Sequence, residues 1–152
     1  MYFYNLIKDL AEKKEIMMFV DMDGVIASYD AGKPLDFLNK RPLTENINKI
    51  QESGRIPNVE LHILSICPKN HQIEHKNIWL DKYAPFIPKE NRIIISKESY
   101  PGITSVELKA NYLNNIKTNK QIVLLDDDNV VLKKVMNTVN NIIVLQDSEL
   151  ID

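Results

Sequence analysis

The chain is expected to fold as an α/β protein, a doubly wound Rossmann-like sandwich built on a five-stranded, mainly parallel sheet. Three observations predict it. Five short runs are almost continuously apolar and rich in Ile and Val, the pattern of strands covered on both faces. Segments with helical spacing alternate with those runs, which implies right-handed crossovers. No repeat and no low-complexity linker divides the 152 residues, so a single domain is expected over 1–152.

The elements follow in order. Strands are predicted at IMMFVD (16–21), ELHILSI (60–66), RIIIS (92–96), QIVLLD (121–126) and NIIVLQ (141–146). TENINKIQES (44–53) has the spacing of a helix. HQIEHKNIWLDKYAPF (71–86) places Ile73, Ile78, Trp79 and Tyr83 on one helical face, and Pro85 stops it. TSVELKANYLNNI (104–116) opens on Thr and Ser and turns Val106, Leu108, Tyr112, Leu113 and Ile116 inward. NVVLKKVMNTV (129–139) is a short last helix.

Composition narrows the class. With 44% hydrophobic and 26% charged residues the chain has a core to bury, and its net charge of -2 argues against broad attraction to nucleic acid or acidic membranes. The N-terminal MYFYNLIKDLAEKKEIMMFV lacks a basic region followed by an uninterrupted apolar core, so no secretory signal is read. No stretch approaches the roughly 20 apolar residues of a membrane span. A lone cysteine, Cys67, precludes an internal disulfide and suits a reducing compartment. A soluble, cytoplasmic protein is expected.

Ligands of doubly wound folds bind beyond the carboxyl ends of the strands. Those ends carry Asp21, Ser65 and the pair Asp126–Asp127. In FVDMDGVIAS (19–28), Asp21 and Asp23 flank Met22, and Gly24 permits a sharp turn directly afterwards. LLDDDN (124–129) crowds three carboxylates where an apolar strand emerges, which costs stability through repulsion and desolvation. A bound cation is the candidate that would offset that cost. Asp21, on a rigid strand end, is a candidate nucleophile. Asp23, two residues on and past the turn, is a candidate general acid and base. Mg²⁺ suits such a site, since it takes one or two carboxylates, several waters and a substrate phosphate.

With its first strand ending Asp-x-Asp-Gly and an acidic pair ending a late strand, the chain resembles the haloacid dehalogenase superfamily of phosphotransferases. The likeness runs from residue 17 to about 130. Between the two motifs stand Ser65 at the end of the second strand and Lys109 in SVELKANYL. The resemblance implies that Mg²⁺ is held by the Asp21 carboxylate, the Asp23 carbonyl and Asp127, with Asp126 behind them. It implies that Ser65 and Lys109 hold the phosphoryl oxygens. Lys97 is a rival for the lysine role, and the shorter spacing to Asp127 favours Lys109. The form Asp-Met-Asp-Gly-Val, with Val25 after the glycine, looks like the deoxyribonucleotidase branch. Asp128 reads as a solvated helix-start residue.

Other readings carry less. An EF-hand counted from Asp21 would need an acid where Gly32 stands. A receiver domain has a lone mid-chain Asp and a late lysine, whereas here Ser65 is mid-chain and the acids follow the lysine. HQIEH (71–75) matches a zinc-protease pattern but has no third ligand in context. Lys69 and Asn70 are candidates to touch substrate phosphate or sugar, and Tyr29, Lys33 and Phe37 to touch substrate or simply pack. Cys67 reads as a small apolar residue. The stretches between Asp23, Ser65 and Lys109 exclude a large inserted domain and leave room for a small helical cap or flap at about 29–55.

The expected function is Mg²⁺-dependent phosphomonoester hydrolysis, with a 5′-nucleotidase acting on (deoxy)nucleoside monophosphates as the favoured form. A phosphatase acting on nucleic-acid 3′ or 5′ ends and a non-catalytic binding module of the same fold are the alternatives. A dehalogenase fits less well, because Asp23 suits protonation of a phosphate ester's leaving group.

Overall fold

A computed structural model describes residues 2–151. Five parallel strands form one sheet in the order β3-β2-β1-β4-β5: β1 (Ile16–Val20), β2 (Val59–Cys67), β3 (Arg92–Ser96), β4 (Gln121–Asp126) and β5 (Ile143–Gln146). The expected doubly wound sandwich is the observed one. Strand order reverses between β1 and β4, so the carboxyl ends of those two strands flank the topological switch point. Val20 pairs with both Ile63 and Leu125, and Asp21 N–H donates to the Leu125 carbonyl at 3.0 Å. The ladder therefore delivers Asp21 to the level of Asp126.

Helices cover both faces. On one face α1 (Tyr2–Lys13), α2 (Thr44–Gly54) and α3 (His71–Tyr83) bury Phe3, Ile7, Ile47, Ile50, Trp79 and Leu80 against Met18, Val20 and Ile63. On the other, α4 (Ser105–Asn114) and α5 (Asn129–Thr138) close Ala110, Leu113, Val131 and Val135 over Phe19, Leu64 and Leu124. Helix starts are legible in the caps. Thr104 Oγ1 accepts from Glu107 N–H at 3.1 Å and donates to Glu107 Oε1 at 2.9 Å. Exposed Asp128 caps α5 by accepting from Val130 N–H at 2.9 Å.

Four expectations need correction. Helix α1 was not among the predicted elements, although Phe3, Ile7 and Ala11 form its buried stripe. The last strand begins at Ile143 rather than at residue 141. The buried face of α3 is Gln72, Lys76, Trp79 and Leu80, while Ile78 is 48% exposed. Positions 72, 76, 79 and 80 keep a helical period, so a polar pair occupies half of an inward stripe. Finally, residues 44–54 do not belong to a cap. They are crossover helix α2, packed on α1 and β2.

What remains of the cap is a short flap. Its ends are stitched by Ser28 N–H to the Arg41 carbonyl, Arg41 N–H to Ser28 Oγ, and Leu43 N–H to the Ile26 carbonyl. One 3-10 turn, Phe37–Asn39, lies within it and packs on α3, burying Phe37.

Candidate active site at the strand switch point

The turn after β1 is built on a single carbonyl. Met22 C=O accepts from Val25, Ile26 and Ala27 N–H at 3.1, 2.9 and 2.9 Å, and Gly24 N–H donates to the Ala27 carbonyl at 2.8 Å. Asn46 Nδ2 of α2 donates to the Val25 carbonyl at 2.8 Å and ties the turn to the sandwich. Gly24 has φ +89°, and a Cβ there would lie 2.1 Å from Asp127 Oδ2 and 2.6 Å from its Cγ. Glycine is thus required twice, for the backbone conformation and for the space that Asp127 fills. Gly24→Ala is expected to destabilise the fold by about 1–3 kcal/mol, seen as a lower urea midpoint, and to displace Asp127 from the acid cluster.

Asp21, Asp126 and Asp127 each offer a carboxylate oxygen within 4.8 Å of the others. Asp21 and Asp126 are buried and Asp127 half-buried. Lys109 reaches down from α4 and places its ammonium between two of them, donating to Asp21 Oδ1 at 2.9 Å and Asp126 Oδ2 at 2.7 Å. Asp126 Oδ1 accepts from Asp128 N–H at 3.0 Å, so both oxygens of Asp126 are engaged. Asp127 is the more exposed acid of the pair, and its carboxyl lies against those of Asp21 and Asp126.

Charge crowding shows in the acids' proton affinities. Burial pushes the Asp21 carboxyl up to about 8, with Lys109 opposing the rise and Asp126 adding to it. Burial and then the Asp126 charge push Asp127 up to about 6. Burial alone would pull the Lys109 ammonium down, yet Asp21 and Asp126 hold it above its ordinary value. Three carboxylates thus face one ammonium.

The donor set fits a hard divalent cation. Oxygens on opposite sides of an octahedral Mg²⁺ lie about 4.2 Å apart. At most one pair of the three oxygens can take that spacing and adjacent ones lie about 3 Å apart, so the three acids, now within 4.8 Å of one another, would draw together on an ion. Among the described residues, the His, Cys, Asp and Glu groups near enough to share an ion are these three acids. His71 and His75 of HQIEH stack edge to face at 5.4 Å and are not in such a group.

Asp23 sits beside this cluster in a different field. Lys76 Nζ donates to its Oδ2 at 2.9 Å, and Lys40 Nζ lies 2.9 Å from its Oδ1. Burial pushes the Asp23 carboxyl up, but Lys76 and then Lys40 outweigh it and hold the group below the usual carboxylate value. Neither lysine was among the residues expected at the site. Lys76 was legible as the charged member of the 72, 76, 79, 80 stripe; Lys40 gives no local signal in DFLNKRPL.

Ser65 departs from expectation. It is fully buried, and its Oγ accepts from Lys76 Nζ at 2.6 Å. Strand β2 continues to Cys67, two residues past Ser65, and the residue of β2 that lines the cleft is Ile66. The serine hydroxyl therefore faces the buried lysine and not the open space where phosphoryl oxygens would lie. Lys97 is exposed on the 3-10 turn after β3 and does not line the cleft, whereas Lys109 does. Lys69 pairs with Glu98 at 3.6 Å, and Asn70 is bound by Glu98 and Ser99, so both serve the loop after β3. Burial pushes the Cys67 thiol up, which suits an unreactive packed residue.

The cleft measures about 450 Å³ and is lined by Asp21, Asp23, Lys109, Asp126 and Asp127, with Tyr29 and Ile66 at its wall. That volume lies in the range of small-ligand sites. Tyr29, 67% exposed, stands at the flap edge of the opening. Lys33 is exposed and does not line the cleft.

No family model matches the sequence, and no curated protein does. Among solved structures, a chain described as "Structure of Pnkp1/Rnl/Hen1 complex" superposes with a TM-score of 0.69 at 16% identity. The superposition covers 88% of this chain and 46% of the other, so this protein spans about half the length of the chain it matches. The likeness is one of fold. No helix among the described residues is long and apolar enough to cross a membrane.

Proposed function

We propose that the protein is a Mg²⁺-dependent phosphomonoester hydrolase of the haloacid dehalogenase type, working through an aspartyl-phosphate at Asp21. The observation that carries this reading is the arrangement at the switch point. One carboxylate has an oxygen free of Lys109, a buried ammonium bridges it to a second acid, and a third acid stands alongside in an open cleft. A structural ion-pair network has no need of a third, half-buried carboxylate.

The chain's own groups divide the work. Lys109 fixes Asp21 through Oδ1 and leaves Oδ2 to attack phosphorus. As the Asp21–phosphorus bond forms, the bond from phosphorus to the leaving oxygen breaks, and Asp23 gives that oxygen its proton. An entering phosphate dianion favours the protonated form of Asp23, against the two lysines that otherwise keep it ionised. Water then attacks the phosphoryl group, Asp23 takes the proton, and the Asp21–phosphorus bond breaks to release phosphate. Lys109 offsets negative charge on the equatorial oxygens. Asp21, Asp127, Asp126 and the Asp23 carbonyl would hold Mg²⁺, which when bound neutralises charge on the phosphoryl group.

Nucleoside and deoxynucleoside monophosphates are the favoured substrates, since the cleft suits a small ester and the net charge of -2 offers no broad attraction to a polyanion. The test is phosphate release from a panel: an aryl phosphate, the nucleoside monophosphates, and oligonucleotides phosphorylated at the 3′ or 5′ end, each with Mg²⁺ and with chelator. Mg²⁺-dependent release led by a monophosphate is the expected result. Preference for an oligonucleotide end would move the substrate to nucleic acid with the chemistry kept. Absence of release from every compound would remove the hydrolase reading.

A further inference from the structure

Lys76 is fully buried, yet it lies on a helix whose neighbouring positions reach solvent. Lysine almost never occupies such a place unless it is paired, because removing an ammonium from water is costly. Its three hydrogens have three acceptors: Asp23 Oδ2 at 2.9 Å, Ser65 Oγ at 2.6 Å and the Ile66 carbonyl at 3.2 Å. Two of those acceptors belong to β2, an internal strand of the sheet. Lys76 therefore ties the Asp23 carboxylate to the rigid frame.

Lys40 approaches from the flap. Its Nζ lies 2.9 Å from the other oxygen of Asp23, and its side chain is 2% exposed. The Lys40 carbonyl accepts from Trp79 Nε1 of α3 at 2.8 Å. The Phe37 ring lies under both ammoniums, 4.4 Å from Lys76 Nζ and 5.3 Å from Lys40 Nζ. One lysine would neutralise one carboxylate. Lys76 directs a hydrogen bond at Oδ2, and Lys40 pairs with Oδ1 by charge without one, so two buried ammoniums hold the carboxylate from both sides.

We propose that Lys76 and Lys40 are positioning residues that clamp the two oxygens of Asp23 and aim that carboxyl at the leaving oxygen of the substrate. The inference rests on the hydrolase reading above, in which Asp23 moves the proton. A clamp that only glued flap to helix would affect every substrate alike. A clamp that aims a proton donor affects substrates by how much their leaving group needs the proton. An alkoxide leaving from a nucleotide needs it; a nitrophenolate leaves without it.

The experiment is single-turnover cleavage with enzyme in excess, so that only formation of the phosphoenzyme is read. It compares p-nitrophenyl phosphate with the monophosphate preferred in the panel, for wild type, Lys76→Met and Lys40→Met. Folding is checked by circular dichroism and by the Mg²⁺-induced rise in Tm. In Lys76→Met the ratio of nucleotide to nitrophenyl cleavage is expected to fall roughly 100-fold, the scale of a misplaced catalytic group. In Lys40→Met it should fall in the same direction. Equal slowing of both substrates, or no slowing, in a folded variant overturns the proposal. Should Lys76→Met fail to fold, the ratio in Lys40→Met decides. If wild type cleaves neither substrate, the hydrolase reading fails and the clamp's role falls with it, an outcome distinct from a wild type that cleaves both while the variants keep the ratio.

Discussion

Asp21→Asn is expected to lower Mg²⁺-dependent phosphate release at least about 1,000-fold while leaving the fold intact, because removing a nucleophile removes the covalent route itself. The amide is nearly the same shape and keeps an oxygen toward Lys109, so the loss cannot be ascribed to a hole in the structure. It also relieves repulsion. Asp21 stands at about 8, pushed there by burial and the Asp126 charge against the pull of Lys109. Replacing it by a neutral group should leave thermal stability without Mg²⁺ equal to or above that of wild type. Loss of turnover together with retained or raised Tm is the signature sought, read by phosphate release and a thermal scan. Residual turnover near the wild-type value would remove Asp21 from the role of nucleophile.

Lys109→Met is expected to act on stability first. Lys109 is buried and stands between Asp21 and Asp126, so its loss strands two carboxylates in a low-dielectric site. Breaking a buried pair by removing one partner costs about 3–5 kcal/mol. The sign with pH is definite. Lys109 is held above its ordinary value, so its contribution is fully present below about 10.4 and is lost only as pH rises through the higher folded value. At neutral pH the whole effect is therefore expected. A divalent cation brings positive charge to the same acids, so Mg²⁺ should restore part of the lost stability, and the Mg²⁺-induced rise in urea midpoint should exceed that of wild type. Turnover should remain about 100- to 1,000-fold down even when Mg²⁺ saturates the variant, because charge on the phosphoryl oxygens loses its fixed ammonium. A variant of wild-type stability would show that Lys109 does not hold the site together.

The frame of the molecule was legible because parallel strands buried on both faces leave uninterrupted apolar runs, and four of the five predicted ranges agree with the observed strands to within a residue at either end. Strand ends carrying Asp21, Asp126 and Asp127 then converge by the general rule for doubly wound sheets. Helix α1 carries its signal in the Phe3, Ile7, Ala11 stripe, a narrow buried face on an otherwise polar segment. The direction of Ser65 depends on strand register: β2 outruns β1, so Ser65 sits below the strand end and faces Lys76. That offset has no trace in LHILSIC. Lys76 keeps the helical period of the buried stripe Gln72, Lys76, Trp79 and Leu80, but an amphipathic pattern of apolar residues alone passes over a charged member of that face. Lys40 was illegible for a physical reason. It reaches Asp23 through a flap whose path is set by the Trp79 hydrogen bond to its carbonyl and by Phe37 packing, contacts far apart in sequence.

Everything functional here depends on whether the three acids hold a divalent cation, and calorimetric titration of Mg²⁺ into wild type and Asp127→Asn tests that most directly. The titration belongs at pH 6 and pH 8. Asp127 at about 6 and Asp21 at about 8 are both raised, so each holds a proton that must leave before the ion enters, and binding should tighten as pH rises through that window. At a hundredfold excess over Kd the ion should stabilise the protein by about 2.7 kcal/mol. One saturable site in wild type, tighter at pH 8 and lost in Asp127→Asn, is the result the account requires. Absence of binding at either pH, or equal binding in the variant, would contradict it.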